Sequence, residues 1–138
     1  MSNPLDSLLD RLAQPLTIAG RALLGLYFLL PGIMKIAGFS GTLDYMQQHH
    51  VPMALPVLIL TIVLEVGGGL ALIINWQTRS NAFLLAGLTL LICIYMHDFW
   101  NHYDSGSQQH ELQNFIKNLG IFAGLLVLTG REDRKRQP

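Results

Sequence analysis

The sequence predicts an all-α integral membrane protein, a bundle of four membrane-spanning helices preceded by a short amphipathic helix on the membrane surface. Three observations carry this reading. Of 138 residues, 51% are hydrophobic and 13% charged, about half the charged fraction of an average soluble domain, and mean hydropathy is +0.38. Four apolar segments recur, each near the roughly 20 residues needed to cross a hydrocarbon core. They are rich in Leu and Gly and do not alternate apolar with polar residues, which disfavours strands. One domain covering residues 1–138 follows.

The elements are justified in turn. Asn3-Pro4 reads as a helix start, a capping side chain followed by proline in the first turn. Leu5, Leu8, Leu9 and Leu12 then recur at helical spacing opposite Asp6, Asp10 and Arg11, and Pro15 is expected to end this surface helix. The N-terminus is acidic and lacks a basic leader, so the first span is expected to drive insertion itself. The spans are expected at about residues 17–38, 52–75, 81–100 and 112–130. The third has no polar stripe between Ala82 and Met96, which argues against a soluble bundle. Pro31 and Pro56 are expected to kink their helices. Gly120 and Gly124 form a GxxxG, and Gly67 and Ala71 a similar pair, spacings that suit packing within the bundle or dimerisation.

Charge placement sets an expected orientation. Residues 39–51 and 101–113 contain no Lys or Arg, whereas Arg11, Arg79, Arg131, Arg134, Lys135 and Arg136 flank the other ends. By the positive-inside rule both termini are cytoplasmic in a bacterial inner membrane. Trp76 and Trp100 fall at span ends, where interfacial anchors belong.

Nine basic and nine acidic residues cancel, so nothing points to nucleic acid. Cys93 is the single cysteine, which excludes an internal disulfide or a CxxC dithiol. Its apolar setting reads as packing. No Gly-rich phosphate loop or nucleophile elbow is present. The outer-loop residues His97, His102, His110, Asp98, Asp104 and Glu111 are too loosely spaced to define a metal site, and none is assigned.

The candidate site is built from ionisable groups inside the spans. Glu65 stands alone in the apolar run between Asp44 and Arg79. A carboxylate at that depth is costly and needs a partner or a task. On the first span Arg21, Gly25, Phe28, Gly32 and Lys35 fall within roughly 80° of one another. Thr61, Glu65 and Gly69 share a face of the second span. His97-Asp98 ends the third, and Asn114, Lys117 and Asn118 share a face of the fourth. We expect an outer cluster of Lys35, Lys117, Asp98 and His97, with Glu65 as its floor. Arg21, Lys35 and Lys117 all remain candidate partners for Glu65. His97 with Asp98 reads as a proton-handling pair; Lys35, Lys117 and His97 are candidate donors to a ligand carbonyl, Glu65 or Asp98 candidate proton carriers, and Asn118 and Arg21 complete the candidate set. The bland reading of the same residues is a set of ion pairs that fix helix register, or cations that snorkel to headgroups.

These motifs together carry a resemblance. Arg21-Ala22-Leu23-Leu24-Gly25 leading to Gly32-Ile33-Met34-Lys35, then Glu65-Val66-Gly67-Gly68-Gly69, His97-Asp98-Phe99-Trp100 and Phe115-Ile116-Lys117-Asn118-Leu119-Gly120 resemble the DoxX family over about Thr17 to Gly130. The resemblance implies a small four-helix inner-membrane protein with a quinone-linked or redox-associated role, an oxidoreductase subunit rather than a self-sufficient enzyme. The family name comes from a subunit associated with a thiosulfate:quinone oxidoreductase, and other members are linked to redox-stress and thiol-homeostasis complexes. The single cysteine separates this chain from membrane dithiol-to-quinone enzymes. The expectation is therefore a small apolar ligand, a quinone, held between the helices, with a redox partner protein and a homo-oligomer as further partners. The alternative is a non-catalytic scaffold or small-molecule binder. A proton or ion pathway is a weaker third reading, because four helices leave little room for alternating access.

Overall fold

The fold comes from a computed structural model that describes residues 3–101 and 104–131. Six helices follow in order: α1 (Pro4–Ala37), α2 (Phe39–Gln48), α3 (Ala54–Val63), α4 (Gly69–Ile73), α5 (Thr78–Met96) and α6 (Ser105–Gly130). A π-helical turn, Leu64–Gly68, joins α3 to α4 so that Ala54–Ile73 crosses as one unit. Among the described residues α1, Ala54–Ile73, α5 and α6 are long and apolar enough to span a membrane.

The surface agrees. Large apolar side chains project outward from every span, with Met34 71%, Val63 60%, Phe83 63% and Val127 74% exposed. Such a surface in water would be one continuous apolar patch, far beyond what a soluble monomer carries. In lipid it is the normal exterior. Trp76 and Trp100 are both exposed just beyond the ends of their spans, as interfacial anchors are.

With lipid outside, burial of apolar area no longer drives helix association, and close packing takes over. The tightest contact is between α1 and the second span. A Cβ on Gly25 would lie 2.6 Å from the Gly69 carbonyl oxygen, and one on Gly69 would lie 2.7 Å from that of Gly25. Gly32 is equally confined, against Val66 and Glu65. Only glycine allows the two backbones to approach this closely. The face of α1 read from the sequence is thus the packing face, and Phe28 on it is buried. On the other side of the bundle α5 packs along α6, closing the apolar core of Phe28, Leu72, Leu85 and Leu125.

Several expectations require correction. Asn3 does cap the chain's first helix, accepting from the Leu5 amide at 3.1 Å. However, Pro15 does not end a surface helix, because α1 runs through it for 34 residues. Proline removes one intrahelical donor, but this part of α1 is exposed, so the freed carbonyl of Arg11 can turn to solvent. The third span stops at Met96, where His97 leaves helical geometry with φ −120° and ψ 50°. The fourth begins at Ser105, earlier than expected, because Asp104 caps it by accepting from the Ser107 amide at 2.8 Å. The segment after α1 holds α2, unanticipated although Phe39, Leu43 and Met46 are spaced for one helical face. Met46 packs there on Ala54 and Leu58.

Cys93 is free and fully buried. Gly120 and Gly124 have open space beside them, so they make no close contact within the bundle.

Candidate functional site

α1 and α6 are not packed along their length as α5 and α6 are. Long polar side chains bridge them instead: Tyr27 Oη donates to Asn118 Oδ1 at 2.7 Å, and Arg131 Nη1 donates to Thr17 Oγ1 at 2.7 Å. The space left between α1, the π-turn, α5 and α6 is a cavity of about 200 Å³. Its polar lining is Tyr27, Lys35, Glu65, Thr89, His97 and Asn118, and its apolar walls are Phe28, Pro31 and Ile92.

Glu65 is 3% exposed and sits in the π-turn. Five residues per hydrogen-bonded ring widen the helix there, a distortion common at functional sites. Glu65 faces Lys35 from within this turn, and Gly69 just after it meets Gly25. Lys35 Nζ lies 3.1 Å from Oε1, as a directed hydrogen bond, and 2.9 Å from Oε2. Oε2 makes no well-directed hydrogen bond and is buried, so the carboxylate keeps acceptor capacity toward the cavity. The Lys35 side chain is 25% exposed against 4% for that of Glu65, so the pair runs from the cavity's rim to its floor. Of the three cations considered as partners for Glu65, the geometry selects Lys35.

The other donors are distinct in kind. Asn118 is buried, and with Oδ1 taken by Tyr27 its Nδ2 donors remain. Thr89 spends its hydroxyl on the Leu85 carbonyl at 2.7 Å. His97 Nδ1 lies 2.8 Å from Glu111 Oε2.

Other sequence candidates stand elsewhere. Lys117 is on the exposed face of α6 and does not line the cavity, since one residue along a helix is a 100° turn from Asn118. His97 has Glu111 as a partner, while Asp98 accepts from Asn101 and stands 3.7 Å from His49. Arg21 is half-buried toward the opposite end, its Nε without a hydrogen-bond partner. Of the expected cluster, Lys35, His97 and Glu65 line the cavity, joined by Asn118, while Lys117 and Asp98 do not line it.

Sequence reasoning missed Tyr27, Thr89, His49 as the partner of Asp98, and Glu111 as the partner of His97. Tyr27, Pro31 and Lys35 recur every fourth residue, a signal that was available. Tyr45 packs against His49 with ring centroids 4.4 Å apart and the planes tilted by 57°. Burial and the nearby Glu111 and Asp98 charges push the Tyr45 hydroxyl above its ordinary value of 10.0. Phe99, Trp100 and Phe115 form an edge-to-face cluster that fixes the chain after α5 against α6. Among the described residues no three His, Cys, Asp or Glu side chains are grouped to hold a metal ion. His102, Arg134, Lys135 and Arg136 lie outside the described residues.

A four-span bundle with lipid-facing walls and a polar cavity defines a small multi-pass membrane protein. The chain belongs to the DoxX family, whose profile matches residues 16–98. That match ends at Asp98, so the α6 residues of the resemblance lie beyond it. The chain is 38% identical over 112 residues to inner membrane protein YqjF of Escherichia coli K12, covering 80% of this chain and 79% of the relative. It is 29% identical over 113 residues to inner membrane protein YphA of the same organism, covering 82% and 80%. Both relatives and the four apolar helices place it as a multi-pass inner-membrane protein. No solved structure matches.

Proposed function

We propose that the cavity binds a small ring compound bearing carbonyl oxygens, of the quinone class, and that the chain is the quinone-binding component of a membrane redox assembly whose electrons come from a partner protein. The carrying observation is the buried Lys35–Glu65 pair on the wall of a cavity of about 200 Å³. A cavity of about 150 Å³ admits benzene, so this one suits a single substituted ring. The chemistry fits as well. Lys35 Nζ and Asn118 Nδ2 are donors for carbonyl oxygens, Phe28, Pro31 and Ile92 supply apolar walls, and Glu65 Oε2 is a buried acceptor with capacity left. Such a ligand supplies reversible two-electron, two-proton chemistry when bound, while the residues bind it, orient it and exchange protons with it.

Access from the bilayer is consistent with Tyr27, which lines the cavity yet is 39% exposed. The orientation with both termini cytoplasmic belongs to the same proposal and places Lys35 and His97 toward the outer face.

The test is titration of purified protein in lipid nanodiscs with decylubiquinone, followed by tryptophan quenching and quinone extraction. Binding that weakens at least tenfold in Lys35→Met and Asn118→Ala, but not in Lys117→Met, supports the proposal. Equal affinity in all four proteins sinks it. A scaffold role is the alternative, favoured by the open space beside Gly120 and Gly124, which leaves an α6 face suited to a second helix.

A further inference from the structure

His97 belongs to two environments at once. It lines the cavity with Lys35 and Glu65, and it reaches Glu111 on α6 at 2.8 Å. Both side chains are partly accessible, 20% for His97 and 14% for Glu111. With Glu111 ionised, the contact keeps the imidazole proton on Nδ1. Nε2 is then the basic nitrogen and the ring position left for the cavity. The charged and titratable groups around His97 come from every neighbouring element: Tyr27 and Lys35 on α1, Glu65 in the π-turn, Tyr45 on α2 with His49 just after it, and Glu111 on α6.

We propose that His97 is the group that exchanges protons between the outer aqueous face and the cavity, and that Glu111 is the positioning residue that fixes its tautomer. This rests on the cavity being the functional site. Protonated His97 carries hydrogen on both nitrogens. The Nε2 proton passes to an acceptor in the cavity, the Glu65 carboxylate or a ligand oxygen. His97 remains neutral, with Nδ1–H donating to Glu111, and Nε2 regains its proton from water at the partly exposed rim beside Lys35. No bond other than N–H and O–H changes.

A purely structural tie between α5 and α6 needs neither a fixed tautomer nor contact with the cavity. The His49–Asp98 pair one residue along has the same chemistry, but His49 does not line the cavity. It is the built-in control.

The experiment is 15N-histidine NMR of the full chain in nanodiscs, with His97 assigned by its loss in His97→Gln. The expected wild-type signature is the Nδ1–H tautomer. Glu111→Gln abolishes that preference, whereas Glu111→Asp keeps it. Glu65→Gln changes the His97 Nε2 resonance and leaves those of His49 unchanged. A His97 tautomer ratio identical in wild type and Glu111→Gln, or an Nε2 resonance blind to Glu65→Gln, overturns the proposal. These spectra need no added ligand. Failure of decylubiquinone to bind therefore counts against the quinone reading and is distinguishable from failure of the proton-exchange role.

Discussion

Lys35 and Glu65 meet 2.9 Å apart on the seam between α1 and the second span, where a Cβ on Gly32 would lie 3.0 Å from that of Glu65. The two partners are not equivalent. Lys35 keeps a quarter of its side chain accessible and has a long stem that can snorkel to headgroups. The Glu65 side chain is 4% exposed and has no such route.

The pair should therefore respond asymmetrically to mutation. Lys35→Met strands a buried carboxylate and should cost roughly 3–5 kcal/mol. Glu65→Gln frees a lysine that can reach water, so its cost should be smaller. The double variant should recover part of the Lys35→Met loss. Thermal unfolding in one detergent measures the order, and equal costs for the two single variants would contradict the asymmetry.

Glycine positions separate by the space around them. Gly25→Ala forces a methyl group onto the Gly69 carbonyl and should destabilise by about 1–3 kcal/mol through overpacking. Gly87→Ala, with nothing within 4 Å, should be neutral or slightly stabilising because alanine is the better helix former. Gly124→Ala should behave like Gly87→Ala in a monomer. A loss of stability confined to Gly124→Ala, paired with a change in oligomer mass, would place a second helix on that face.

Tyr27 and Asn118 hold the gap between α1 and α6. Tyr27→Phe removes one hydrogen bond and should cost about 1 kcal/mol. Asn118→Ala should cost more, because it also empties volume at a buried position. If the cavity is reached through this gap, Tyr27→Phe should accelerate decylubiquinone association more than it alters affinity. Stopped-flow quenching separates the two effects.

The start of α6 should respond to acid. The Asp104 carboxylate is held below its ordinary value of 3.8 by hydrogen bonds from Ser107. A lowered carboxylate contributes stability above its unfolded value and loses that contribution as pH falls through the folded one. The first turn of α6 should therefore fray below about pH 4, seen as faster hydrogen exchange at the Ser107 amide after correction for the intrinsic rate. Asp104→Asn keeps a capping oxygen but does not titrate, so its corrected exchange should be flat over the same range.

The sequence made the spans legible because lipid exposure writes itself as long apolar runs, and made Glu65 legible because one charge in such a run has no cheap explanation. The packing face of α1 was legible too, since glycines and cations recur on one side. What escaped depended on rotation and partner choice. Lys117 and Asn118 sit on one helix turn, yet only Asn118 turns inward. That His97 meets Glu111 was hidden because Glu111 lies nearly two helical turns into α6, on an element whose approach to His97 no local spacing announces. Pro15 misled for a different reason. Proline costs a helix one hydrogen bond and a clash with the carbonyl four residues back, but on this exposed stretch of α1 that carbonyl can tilt to solvent and the helix runs on.

The π-turn at Leu64–Gly68 holds one residue more than an α-helix would need for the same rise. Deleting that residue would return the span to a continuous α-helix, with α3 and α4 keeping their faces, and would draw in the stretch of wall that carries Glu65. The turn is thus slack stored in one span, a place where the helix can shed a residue without rotating its two ends against each other.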